Sequence, residues 1–198
     1  MNLKADNISK TYFRDTGGAN YFYAVYPVSL EMRSGTVTVL TGRSGSGKTT
    51  LLNLIADRGG LILYCDAIYH ELLLSDRNML QSIEDRFPGV VEDGSLNRKK
   101  LGGIVFSDKA ALEDLNRITH AAVKAEVLRR LESAPQLAAI DAIGLFEGGL
   151  ASLCDVTVAV TAPKEARIAR LMARDGISGD YAKKRIAAQH TERWFRAR

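Results

Sequence analysis

The sequence predicts an α/β fold with a three-layer parallel sheet, and three observations carry that expectation. A β-branched run, Thr36-Val37-Thr38-Val39-Leu40-Thr41, leads into the glycine-rich segment Gly42-Arg43-Ser44-Gly45-Ser46-Gly47-Lys48-Thr49. A helical pattern follows directly, with Leu51, Leu52, Leu54 and Ile55 on its apolar face. Short apolar runs then recur between longer helical stretches, and strands that alternate with helices pair in parallel. A chain of 198 residues is long enough to bury one such core, with a small helical appendage.

Taken in order, residues 3–14 and 21–33 mix apolar and polar positions as half-exposed strands do, and Thr16-Gly17-Gly18-Ala19-Asn20 marks the turn between them. After the first helix, which stops near Gly59-Gly60, Leu61-Ile62-Leu63-Tyr64-Cys65 reads as a buried strand closed by Asp66. From Ala67 to about Leu131 the pattern is mainly helical, with breaks at Phe87-Pro88-Gly89 and Asp93-Gly94-Ser95. Ala138-Ala139-Ile140 and Val156–Val160 supply two more strands, with a turn at Gly148-Gly149 between them. From Lys164 the tail is helical and arginine-rich, interrupted over Asp175–Gly179.

Composition narrows the functional classes. Hydrophobic residues at 46% and charged residues at 25% describe an ordinary globular protein. A net charge of +4 suits a protein handling polyanionic nucleotides. No basic run is interleaved with aromatics, so no nucleic-acid partner is expected. No stretch approaches the ~20 apolar residues of a membrane span, and the N-terminus lacks a signal-peptide core. The expected location is the cytoplasm, and the oligomeric state is left open. Cys65 and Cys154 have no metal-ligand spacing and read as buried reduced thiols.

The chemistry starts at the glycine-rich segment. Gly42-x4-Gly47-Lys48-Thr49, with a strand before and a helix after, is the phosphate-binding loop of P-loop NTPases. Its glycines let successive backbone N–H groups converge on phosphate oxygens, and the helix N-terminus adds partial positive charge. Gly42, Arg43, Ser44, Gly45, Ser46, Gly47, Lys48, Thr49 and Thr50 are therefore expected to bind ATP. Lys48 would bridge the β- and γ-phosphates, and the Thr49 hydroxyl would ligate Mg²⁺.

Two resemblances extend from this loop. Residues 1–56, in Leu3–Tyr12, Val28–Gly35 and Thr41–Ala56, resemble the opening of an ABC-type ATPase, with Tyr12 placed either to stack on adenine or to pack the first strand. The likeness stops after Ala56. Residues 36–190 resemble the dephospho-CoA kinase family. The likeness is carried by Asp66-Ala67-Ile68-Tyr69-His70-Glu71-Leu72, Glu92–Leu101, Val105–Asp108, Leu115–His120, Leu145-Phe146-Glu147-Gly148-Gly149-Leu150, Arg167–Gly176 and Arg185–Gln189. Departures are Tyr64-Cys65 before Asp66, Ile143-Gly144 before Leu145, Ala121 after His120, and a sequence that ends at Arg198, where the family normally continues with a final strand and helix.

The first resemblance implies an ABC ATPase-like N-terminal β extension over residues 1–35, and the second a P-loop kinase domain over 36–198, with a helical acceptor-binding segment at 67–131 and a lid at 164–190. The second resemblance implies ATP, with Mg²⁺, and dephospho-CoA as substrates. Asp66 would take the proton from the acceptor hydroxyl, although an aspartate there also suits a helix N-cap. His120 and Glu147 fall on the acceptor side, and His120 alternatively serves as a structural histidine. Asp141, after the strand Ala138–Ile140, either holds Mg²⁺ or caps the strand end. Arg167, Arg170 and Arg174 share one helical face, and Arg170 and Arg174 would neutralise the transferring phosphoryl group. A non-catalytic ATP-binding module, or a kinase for another small acceptor such as a nucleotide, is the alternative.

Overall fold

The computed structural model describes residues 3–14, 20–32, 36–42, 48–134, 137–142, 144–160, 162–187, 189, 191, 193 and 194. Its strands are β1 (Leu3–Arg14), β2 (Asn20–Met32), β3 (Thr36–Gly42), β4 (Leu61–Tyr64), β5 (Val91–Glu92), β6 (Ser95–Leu96), β7 (Leu137–Asp141) and β8 (Val156–Val160). The helices are α1 (Lys48–Ala56), α2 (Cys65–Ser75), α3 (Arg77–Arg86), α4 (Arg98–Val105), α5 (Lys109–Glu132), α6 (Lys164–Asp175) and α7 (Gly179–Ala187). They form two compact units, one of residues 1–62, 135–143 and 154–198, the other of residues 63–134 and 144–153.

In the first unit a four-stranded sheet runs in the order β4-β7-β3-β8. β3 lies parallel to both neighbours, with Leu40 opposite Asp141 on one side and Val158 on the other. Helix α1 covers this sheet through Leu51, Leu52 and Ile55, which bury against Ala139 and Val160. Each such aliphatic side chain contributes about 1.5–3 kcal/mol of burial. The chain leaves α1 through Gly59, at φ +78, and Gly60, where a Cβ would stand 2.5 Å from Ile55 Cγ2. β1 and β2 pair with each other, from Leu3 opposite Met32 to Arg14 opposite Asn20, in a two-stranded sheet of their own. Among the described residues the extension therefore adds no strand to the main sheet. Helices α6 and α7 pack through Leu171, Ala182 and Ile186.

The second unit is helical. The 24-residue α5 is its axis, and α2, α3 and α4 pack on it. Three side chains cap helices within this stretch, two of them, Asp76 and Asp108, where the sequence offers no glycine or proline. Asp76 accepts the N–H of Asn78 and Met79 to start α3, Asn97 accepts that of Lys100 to start α4, and Asp108 accepts that of Ala110 to start α5. Such caps contribute about 1 kcal/mol each. The two expected glycine-containing breaks fall at the end of α3 and in the turn of the β5–β6 ribbon. Glu84 secures the first by accepting the N–H of Gly89 and of Val91, and those bonds hold its carboxyl below the usual range.

One boundary differs from the sequence expectation. β4 ends at Tyr64, and Cys65 begins α2 instead of closing the strand. Cys65, Ile68 and Leu72 are spaced i, i+3, i+7 and all are buried, so core packing takes Cys65 into the helix. Cys154 is only half-buried, and burial with the nearby Asp155 charge pushes its thiol up to about 11.

Candidate active site

On the donor side, β3 delivers Gly42 and α1 opens at Lys48. Arg43, Ser44, Gly45, Ser46 and Gly47 lie outside the described residues, as does the side chain of Thr50. Thr49 follows Lys48 and is exposed. Lys48 Nζ donates to Asp141 Oδ1 at 2.7 Å, with the two side chains only 14% and 20% exposed. Parallel pairing explains the meeting. Asp141 is the last residue of β7 and lies opposite Leu40, so its carboxylate reaches the carboxyl edge where the loop starts. The pair neutralises two charges that would be costly to leave unpaired at this depth. Thr49 and Asp141 offer hydroxyl and carboxylate oxygens, the hard donors Mg²⁺ takes alongside phosphate and water. Among the described residues no cluster of three or more His, Cys, Asp or Glu is set to hold a metal unaided.

The three arginines of α6 share a face but not a depth. Arg167 is 1% exposed and its Nη2 donates to Gln189 Oε1 at 2.7 Å. Arg170 is half-buried. Arg174 is exposed, and its Nε donates to Asp175 Oδ1 at 2.6 Å. Asp175 also accepts from Arg185 Nη1 of α7 at 2.6 Å, so one carboxylate clasps both helices. The bonds from Arg174, then those from Arg185, hold Asp175 down at about 2. Gly176, left-handed at φ +64, lets α6 end there. Helical periodicity shows the common face of these arginines but not Asp175, whose clasp depends on the α6–α7 turn.

The acceptor candidates lie in the second unit. Asp66 is exposed and is the second residue of α2. The N-cap is Tyr64, without a side-chain cap bond, so Asp66 does not have the capping role that was its alternative reading. Its carboxylate stands in the first helical turn, where the helix dipole favours negative charge. His120 is half-buried on α5 beneath the turn that follows residue 143. A Cβ on Gly144 would stand 3.5 Å from His120 Nε2, and one on Gly148 3.5 Å from His120 Cγ and 3.0 Å from the Gly144 carbonyl. The Gly148 N–H closes this turn on the Gly144 carbonyl at 2.7 Å. Glu147 is exposed on the same turn, so it and His120 belong to one local structure. A pair missed by the sequence reading stands on α2 and α4, where Arg98 Nη2 lies 3.2 Å from His70 Nδ1. Its only sequence signal was the Asp66–His70 spacing of one helical turn.

Comparison with known proteins decides what this arrangement belongs to. The sequence model of the dephospho-CoA kinase family matches residues 36–197. The chain belongs to that family. A dephospho-CoA kinase of Moorella thermoacetica is 38% identical over 160 residues, covering 77% of this chain and 76% of the relative. That of Lactobacillus johnsonii is 35% identical, covering 76% and 79%. Among solved structures, a Thermus thermophilus protein superposes with a TM-score of 0.68 at 32% identity, over 84% of this chain and 86% of its own. The Campylobacter jejuni dephospho-CoA kinase does so with a TM-score of 0.52 at 26% identity, over 77% and 79%. The family match begins at the first residue of β3, so the β1–β2 hairpin stands outside it, while Lys48, Asp66, His120, Asp141, Glu147, Arg170 and Arg174 all fall within it.

Proposed function

We infer that this protein transfers the γ-phosphoryl group of ATP to the 3′-hydroxyl of dephospho-CoA, giving ADP and CoA, the last step of CoA biosynthesis. The observation that carries the reading is the half-buried Lys48–Asp141 pair, which sets a loop lysine at a strand-end carboxylate inside a family match that continues through the acceptor segment. The domain limits proposed are 1–35 for the extension and 36–198 for the kinase domain, with 67–131 serving the acceptor and 164–190 the lid.

In this reading the first unit supplies the groups for the donor. Residues 42–50 wrap the phosphates, and Lys48 leaves Asp141 for the β- and γ-phosphate oxygens. Arg170 and Arg174 neutralise charge on the transferring group, Arg174 by exchanging Asp175 for phosphate. Thr49 and Asp141 would hold Mg²⁺, which supplies further neutralisation of phosphate charge. The second unit supplies the groups for the acceptor. Asp66 takes the proton of the 3′-hydroxyl as that oxygen bonds to the γ-phosphorus and the bond to the β-bridging oxygen breaks. His120 and Glu147 orient the acceptor. Use of ATP as donor supports a cytoplasmic setting, and no described helix is long and apolar enough to cross a membrane.

The test is product identity. Incubation with ATP, Mg²⁺ and dephospho-CoA should give ADP and CoA in equal amounts, with the new phosphate at the 3′ position by mass spectrometry and ³¹P NMR. ATP binding without acceptor-dependent ADP release, or preferential phosphorylation of a nucleoside monophosphate, contradicts it.

A further inference from the structure

Helix α6 ends on Asp175, at the end of the helix where the backbone dipole disfavours a carboxylate. Two arginines hold it there, and they hold it differently. Arg174 donates side-on, from Nε to Asp175 Oδ1 at 2.6 Å and from Nη2 to Oδ2 at 3.0 Å. Arg185, in the last turn of α7, donates from Nη1 to Oδ2 at 2.6 Å. The carboxylate is the most enclosed of the three groups: its side chain is 23% exposed, against 41% for Arg185 and 60% for Arg174. Arg185 is also the better anchored cation. It precedes Ile186, which buries with Ala182 against Leu171 of α6 across the left-handed Gly176. The one acidic residue of α7, Asp180, accepts from Lys183 at 3.1 Å, so the carboxylate that Arg185 meets is Asp175.

These unequal positions give the two arginines different parts in one exchange. A mostly enclosed carboxylate is costly to leave without a cation. When Arg174 leaves for a phosphate oxygen, Asp175 keeps Arg185 on Oδ2, and no charge is stranded. Without Arg185, phosphate would have to draw Arg174 from a carboxylate that loses both of its cations. We propose that Arg185 is a positioning residue for phosphoryl transfer, which keeps Asp175 neutralised so that Arg174 can move to the transferring group. Arg185 acts through Asp175 and does not touch the substrate. This rests on the reading in which Arg174 exchanges Asp175 for phosphate.

Calorimetric binding of ATP and of ADP to the full chain, followed by turnover with dephospho-CoA, tests the assignment. Arg185→Ala should weaken ATP binding about 2- to 10-fold, between the loss of an exposed ion pair and that of a hydrogen bond to a charged group. ADP lacks the transferring group and should bind as it does to wild type. Arg174→Ala should lose more ATP affinity than Arg185→Ala, and Arg185→Lys should recover part of the loss. Lys184→Ala, which removes an exposed cation one residue away, should bind ATP as wild type does. The deciding variant is the double one. In an Asp175→Asn background there is no carboxylate to keep, so adding Arg185→Ala should leave ATP affinity unchanged. A merely structural loss, or direct contact between Arg185 and phosphate, would persist in that background. If ATP binding follows this pattern and dephospho-CoA is not phosphorylated, the kinase reading fails and the role of Arg185 stands. Equal ATP affinity in wild type and Arg185→Ala, or an Arg185→Ala loss of the same size with and without Asp175→Asn, overturns it.

Discussion

The donor and acceptor regions handle charge in opposite ways. In the unit proposed to bind the donor the basic side chains have protein partners: Lys48 holds Asp141, Arg174 holds Asp175, and the buried Arg167 holds Gln189. In the helical unit Asp66 is exposed, and Arg98 has a histidine where Arg86, Arg117, Arg129 and Arg130 have a carboxylate. Paired charges can sit half-buried without a large penalty and must change partner when phosphate arrives. Charges left to water pay no such exchange but hold a ligand less rigidly. On the proposed roles, the donor groups wait in ion pairs that phosphate would exchange, and the acceptor groups wait in water.

The contrast is broken most sharply at Lys48. Lys48→Ala should lower kcat about 10²- to 10³-fold, the scale of removing one electrostatic contact to developing charge. Asp141→Asn separates storage from function. It releases Lys48, so ATP affinity measured in EDTA should equal or exceed that of wild type, while turnover in Mg²⁺ falls. Weaker ATP binding in EDTA for Asp141→Asn would show that the pair supports the site without competing with phosphate.

Two glycines compare the rigidity of the two regions. Gly60→Ala sets a methyl 2.5 Å from Ile55 Cγ2 and 3.0 Å from its carbonyl, in the tight exit from α1. Overpacking of this kind costs about 1–3 kcal/mol. Gly148→Ala meets the Gly144 carbonyl at 3.0 Å and His120 at 3.5 Å, so the turn has only to give slightly. Thermal unfolding should place Gly60→Ala below Gly148→Ala; the reverse order would mean the turn over His120 is the stiffer element.

The smallest effect is acid titration of the α6–α7 clasp. Asp175 is held at about 2, against an ordinary value near 4, so its folded-state value is depressed. Its contribution is therefore full above about pH 4 and disappears as pH falls toward 2. By NMR titration Asp175 should move toward its ordinary value in Arg174→Ala, and further when Arg185→Ala is added. No movement would separate the clasp from these two arginines.

The same contrast governs what was legible in the sequence. β3 and α1 flank the glycine-rich segment, so local pattern and motif spacing located both. Asp141 was read as a strand-end carboxylate, yet its bond to Lys48 joins residues 93 apart and depends on strand order. His70 and Arg98 are 28 residues apart and meet only because α2 and α4 pack on the same α5. The breaks at Asp76 and Asp108 escaped because a single capping side chain ends a helical pattern without glycine or proline. For α6, periodicity gave the common face of Arg167, Arg170 and Arg174, whereas their depth depends on α7 and residue 189.

The most direct measurement is acceptor turnover by Asp66→Asn, with ATP and dephospho-CoA binding measured on the same protein. Loss of a general base costs about 10²- to 10⁴-fold in kcat. The account predicts a fall of that size with both binding constants close to wild type, because Asp66 is exposed and makes no cap bond that the substitution would break. Turnover of dephospho-CoA that is unchanged in Asp66→Asn would contradict it.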